Sequence, residues 1–318
     1  MARSWNHEGF ILDTGPHIFH TNDSEIENDW KEIGSDILVS GRFNSCNLLS
    51  SYPDKLFHYP LSIQTLEENL DSDNYEIICE QLAKLENIDN SGKASNFKEF
   101  MESKVGEKLT KMFFTEYPKK VWGLDTDKML ADWAPQRIEL REKNEPFYKK
   151  PFVAVGLNGT GCLYQRMIEI LSKNENFRIF KNWELDGIER VNDKITKLIF
   201  NKEHIVNIGE KDFIFSTIPA TNFAKLLNQD LDLKFRGVRS QYIFFKNKRI
   251  LPEKYNWIYC SNKEVGFNRI TEPSTMTNGV SKKGYSFVYV ETTFQSDKYH
   301  TLNNGFDEFI NWIKSCNQ

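Results

Sequence analysis

The apolar residues between positions 62 and 145 recur every three or four residues, and from about residue 150 that spacing gives way to short β-rich runs. The helical block holds "SIQTLEENL", "YEIICEQLAKLENI" and "NFKEFMESKVGEKLTKMFFTEY". In the last of these, Phe97, Phe100, Met101, Val105 and Leu109 fall on one face, and Asn96 stands where a cap belongs. Then "KKPFVAVGLNGTGCLYQRMIEILSKN" reads as a strand-like piece, a glycine turn and an amphipathic helix. "RIFKNWELDGIERV", "KITKLIFN", "KDFIFSTIP", "SQYIFFKN", "WIYCS" and "YSFVYVETTF" follow as strand candidates. Residues 1–60 are turn-rich and aromatic, ending in the alternating "DKLFHYPL", and the last stretch, "GFDEFINWIKSCNQ", reads as a helix. This order predicts an α/β chain with a helical insertion followed by mainly antiparallel sheet.

Composition narrows the class. The 318 residues suffice for one large or two ordinary domains, and 39% hydrophobic against 27% charged residues is globular, not disordered. A net charge of −4 argues against a nucleic-acid or anionic-membrane surface. No apolar run approaches the roughly 18 residues of a membrane span, and "MARSWNHEGF" holds no apolar secretory core, so the expected location is the cytoplasm. Cys46, Cys79, Cys162, Cys260 and Cys316 are scattered and odd in number, which reads as reduced thiols.

Four segments bear residues suited to chemistry. "GFILDTGPHIFHTND" (9–23) breaks a strand at a Gly-Pro turn and places His17 and His20 just beyond it; no closed zinc spacing surrounds them, so structural histidines are the plainer reading. "GLNGTG" (156–161) could bare backbone N–H groups to an anion, or serve as a turn and helix cap; the missing phosphate-loop lysine favours the cap. "TEYPKKVWGLDTDKMLADWAPQRIELR" (115–141) interleaves Tyr117, Trp122 and Trp133 with Lys119, Lys120, Arg137 and Arg141. It is either helix ends packed as core or the wall of a pocket for an anionic, ring-bearing ligand. Arg269, in "VGFNRITEP", is by itself an ordinary arginine.

Taken in order, "GFILDTGPHIFHTND", "KLFHYPL", "EYPKKVWG", "ADWAPQRIELR", "GLNGTG", "FIFSTIP", "LKFRGV" and "WIYCSNKEVGFNRITEP" resemble the FAD-dependent family of UDP-galactopyranose mutases and protoporphyrinogen-oxidase-like amine oxidases. The resemblance covers nearly the whole chain. It implies a partial FAD-binding, Rossmann-like domain with a helical insertion and an antiparallel β substrate domain. The implied boundaries are 1–61 (remnant of the FAD domain), 62–150 (helical insertion), 151–220 (FAD-domain helix and strands) and 221–318 (substrate domain).

The same resemblance implies that Gly15, Pro16 and His17 lie against the flavin ring, and that Leu185, Ser216, Thr217 and Pro219 lie where adenine-side strands pass. Tyr117 and Trp122 would wall a nucleotide-sugar pocket, with Arg141 and Arg269 holding the diphosphate; His17, Arg141 and Arg269 are the implied catalytic set. "KVWG" and "ADWA-QRI" sit nearer the oxidase-like branch, whereas the paired arginines favour the mutases. Such proteins carry an early GxGxxG βαβ unit and a late Gly-Arg segment that this sequence does not show. The expectation is therefore a truncated, weakly active mutase-like enzyme that holds FAD poorly and self-associates. A flavin oxidoreductase and a non-catalytic paralogue are the alternatives.

Overall fold

The computed structural model describes residues 3–85, 94–133, 139–246 and 249–295, together with 310, 311 and 314. Two compact units emerge, Met1–Ile170 with Arg236–Gln318, and Leu171–Phe235.

In chain order the first unit begins with β1 (Ser4–His7), β2 (Phe10–Asp13), β3 (Phe19–Thr21), α1 (Ser24–Gly34), β4 (Leu38–Ser40), β5 (Ser45–Leu49) and β6 (Tyr52–Tyr59). Four helices follow, α2 (Ile63–Asn69), α3 (Ser72–Leu85), α4 (Phe97–Phe113) and α5 (Glu116–Trp122), then β7 (Phe152–Gly156) and α6 (Gly161–Leu171). Among the described residues no strand element interrupts positions 62–145, as the helical spacing predicts. Phe97, Met101, Val105 and Leu109 are buried on one face of α4, packed with Leu66, Ile78 and Phe57, and Phe100 is partly buried beside them. Asn96 caps α4 by accepting a hydrogen bond from the Glu99 N–H at 2.9 Å.

The second unit is a three-stranded meander of β8 (Leu185–Val191), β9 (Lys194–Phe200) and β10 (His204–Asn207), with α7 (Ala220–Leu226) against β8. Here one expectation fails. "KDFIFSTIP" forms no strand, and Phe213 and Phe215 are 86% and 91% exposed. Alternating Phe and Ile residues favour extension, but a strand also needs a ladder partner, and none pairs with this run among the described residues. "RIFKNWELDGIERV" is a strand only over Leu185–Val191.

The chain then returns to the first unit as β11 (Arg236–Phe245), β12 (Trp257–Cys260), β13 (Arg269–Thr271) and β14 (Ser286–Gln295). These join β5 and β6 in a six-stranded sheet ordered β11-β14-β13-β12-β5-β6, antiparallel except at β12/β5. The sheet separates two apolar layers. The helices pack over Leu49 and Phe57 on one side. Cys46, Ile258, Cys260, Ile270, Val288 and Val290 form a second buried cluster. No described helix is long and apolar enough to cross a membrane. In "GFDEFINWIKSCNQ" only positions 310, 311 and 314 are described, all helical; Arg137 and Cys316 lie outside the described residues.

Candidate active site

Sheet register builds the site. Residues directly opposite one another on neighbouring strands point to the same face, and Asn47, Tyr259, Arg269 and Glu291 form one transverse row across β5, β12, β13 and β14. Asn47, Tyr259 and Arg269 line a cavity of about 200 Å³. Its walls come from β6 (Tyr59), the end of α4 (Phe113, Phe114), α5 (Tyr117, Trp122) and the loop residue Phe147. Tyr259 takes edge-on contacts from Tyr117, centroids 5.2 Å apart, and from Tyr59 at 5.3 Å. The result is an aromatic box with one cation in its floor.

That cation is paired. Arg269 Nε and Nη2 donate to the two carboxylate oxygens of Glu291, the latter at 2.9 Å, a bidentate fork. Burial pulls the Arg269 pKa down, but Glu291, through charge and hydrogen bond, more than reverses this, so the guanidinium stays charged. Burial pushes the Tyr117 and Tyr259 phenols up, which keeps both protonated. Nε and Nη2 are held by Glu291, and Arg269 also hydrogen-bonds the Tyr259 phenol, so the guanidinium is fixed in one orientation beside the cavity.

Glu291 also links the cavity to the glycine turn. Its Oε1 lies 3.5 Å from where a Cβ on Gly15 would stand. Two residues on, His17 Nδ1 donates to the Gly15 carbonyl at 2.7 Å, which puts the neutral ring's proton on Nδ1 and leaves Nε2 as acceptor. His17 and Pro16 face a small cleft of about 20 Å³ shared with Thr160, Met276 and Tyr289. His20 instead stacks on Tyr148, centroids 4.1 Å apart, and burial with the nearby Lys150 charge lowers its pKa.

Tyr117, Trp122 and Arg269 thus line one cavity, Gly15 lies beside Glu291, and His17 lines the separate small cleft. Arg141 is placed behind the wall. Its guanidinium donates to Glu139 at 2.7 Å and to the Pro146 and Phe147 carbonyls at 2.8 and 3.3 Å, fastening the loop that presents Phe147. Leu185, Ser216, Thr217 and Pro219 belong to the second unit, where Leu185 opens β8 and the other three are exposed. Asn47, Tyr259 and Glu291 escape sequence reading because their juxtaposition depends on strand register. One signal was present: an acid within the apolar run "SFVYVETTF" needs a buried partner.

The glycine turn 156–161 carries no free anion site. The buried Asp13 carboxylate occupies the start of α6, accepting from Thr160 N at 3.1 Å, from Thr160 Oγ1 at 3.0 Å and from Ser4 Oγ, which itself accepts from Gly161 N at 2.7 Å. The turn is a cap satisfied from within the chain.

The fold built around this site is that of the mutase and amine-oxidase flavoproteins. A solved structure of reduced UDP-galactopyranose mutase superposes with a TM-score of 0.77 at 17% identity, over 94% of this chain and 68% of that one. A structure from Exiguobacterium sp. 255-15, assigned as a protoporphyrinogen oxidase, gives 0.71 at 13% identity, over 100% of this chain and 74% of its own. In sequence, the dTDP-fucopyranose mutase of Escherichia coli is 22% identical over 286 residues, 89% of this chain and 68% of that protein. The profile of the UDP-galactopyranose mutase (GLF) family matches residues 112–308. The chain belongs to that family.

Proposed function

We propose that the cavity binds a nucleotide-sugar and that the protein acts on it as a mutase, redox-neutrally interconverting ring sizes of the sugar. The observation that supports this most is the row Tyr259–Arg269–Glu291 at the floor of the aromatic box. Aromatic walls suit a base or sugar ring, and a guanidinium held in a fixed orientation suits a diphosphate. Arg269 bonds the diphosphate and stabilises the charge that develops as it leaves the anomeric carbon. Glu291 holds the fork in place and Tyr117 and Trp122 position the rings. Arg141 acts on the pocket through Phe147.

The family is FAD-dependent, and when bound the reduced flavin supplies the nucleophile for the ring exchange. Gly15, Pro16 and His17 are the residues that would face its ring. Its pyrophosphate finds no cradle at the 156–161 turn, which Asp13 fills.

Anaerobic incubation with UDP-galactofuranose and reduced FAD tests the reading. The expected outcome is conversion to UDP-galactopyranose without net oxidation. No sugar conversion there, with turnover of an apolar amine in a parallel aerobic assay with oxidised FAD, would replace it by the oxidase alternative.

A further inference from the structure

Two basic residues take no part in lining the cavity, Lys120 of "KKVWG" and Arg236 of "LKFRGV". The structure brings them together. Lys120 lies on α5 between Tyr117 and Trp122, and its side chain turns away from the cavity. Its Nζ donates to three backbone carbonyls of the β12–β13 connection, Cys260 O and Asn262 O at 3.0 Å and Phe267 O at 2.6 Å. All three ammonium donors are thereby used, and both ends of the loop preceding Arg269 are gathered on one atom.

The backbone of the same turn is gripped from the other side. Arg236 donates from Nε to the Val121 carbonyl at 3.0 Å and from Nη2 to the Lys120 carbonyl at 3.1 Å. Thr293 Oγ1 donates to that Lys120 carbonyl as well, at 2.8 Å. These are helix-end carbonyls that the helix itself cannot satisfy. Gly123 closes α5 at φ 69°, and a Cβ there would stand 2.4 Å from Arg236 Nη1, so glycine serves both the left-handed turn and the approach of the arginine.

We propose that Lys120 is a positioning residue for the active site, with Arg236 as its counterpart. Lys120 ties α5, which carries Tyr117 and Trp122, to the hairpin that carries Arg269, and Arg236 ties the end of α5 to β11 of the same sheet; together they fix the cavity's aromatic wall against its cationic floor. The link to ligand binding rests on the nucleotide-sugar reading; the lock itself does not.

The test uses the full chain with Lys120→Met, Lys120→Arg and Arg236→Gln, following amide exchange, UDP affinity and Tm. Lys120→Met is expected to speed exchange about tenfold or more over residues 117–123 and 261–268, with α3 unchanged. UDP affinity should fall about tenfold, well beyond what its Tm change produces in an unrelated variant. Lys120→Arg should restore part of both. If Lys120→Met does not fold, Arg236→Gln gives the same comparison, with faster exchange at 119–123 and weakened UDP binding. Unchanged exchange at 261–268, or affinity that tracks Tm alone, overturns the proposal. If the unmodified chain takes up no UDP, the nucleotide reading falls, and the exchange pattern still decides whether the lock exists.

Discussion

Arg269 and Glu291 illustrate how one pair can serve stability and ligand binding together. Glu291 is 6% exposed and satisfies two of the guanidinium's donors. Replacing it with Gln removes the charge but not the shape, and we expect a loss of about 2–3 kcal/mol, seen by denaturant titration. His58 sets a pH dependence. It donates from Nε2 to the Glu145 carbonyl at 2.6 Å, and burial lowers its pKa below 6.5. A depressed folded pKa contributes stability above pH 6.5 that is lost as pH falls through the folded value, so Tm should drop between pH 7 and 5. In His58→Gln that slope should be shallower. At this scale the motif order made Tyr117, Trp122 and Arg269 legible. Asn47, Tyr259 and Glu291 were not, because a one-residue slip in any strand pairing would turn them to the other face.

Among the elements, α4 is the informative case. Its apolar spacing was readable from end to end, yet the helix kinks at Gly106, where φ is 82°. The Gln81 side chain enters the kink and accepts from the Lys108 N–H at 2.9 Å, which redirects the last turns carrying Phe113 and Phe114 toward the cavity. No local pattern announces this, since the cause lies on α3. A Cβ at 106 would stand 2.6 Å from Gln81 Oε1. Gly106→Ala should therefore destabilise the chain by about 1–3 kcal/mol and lower Tm by roughly 2–6 °C. "KDFIFSTIP" teaches the converse: its alternation was legible, but whether a strand forms depends on a partner that a single segment does not specify.

For the molecule as a whole, the exposed Phe213 and Phe215 predict self-association, and sedimentation of Phe213→Ser/Phe215→Ser should show less of it than the unmodified chain. With Asp13 in the 156–161 turn, FAD titrated into the chain alone should bind weakly, and tight binding would show that a phosphate site exists elsewhere. The central claim is that the cavity takes a nucleoside diphosphate on Arg269. Isothermal titration of UDP against the unmodified chain and Arg269→Met tests it most directly. The account predicts saturable one-to-one binding that weakens about tenfold or more in the variant, as the loss of a charge-assisted phosphate contact requires. Equal affinity in the two proteins, or no binding in either, would contradict it.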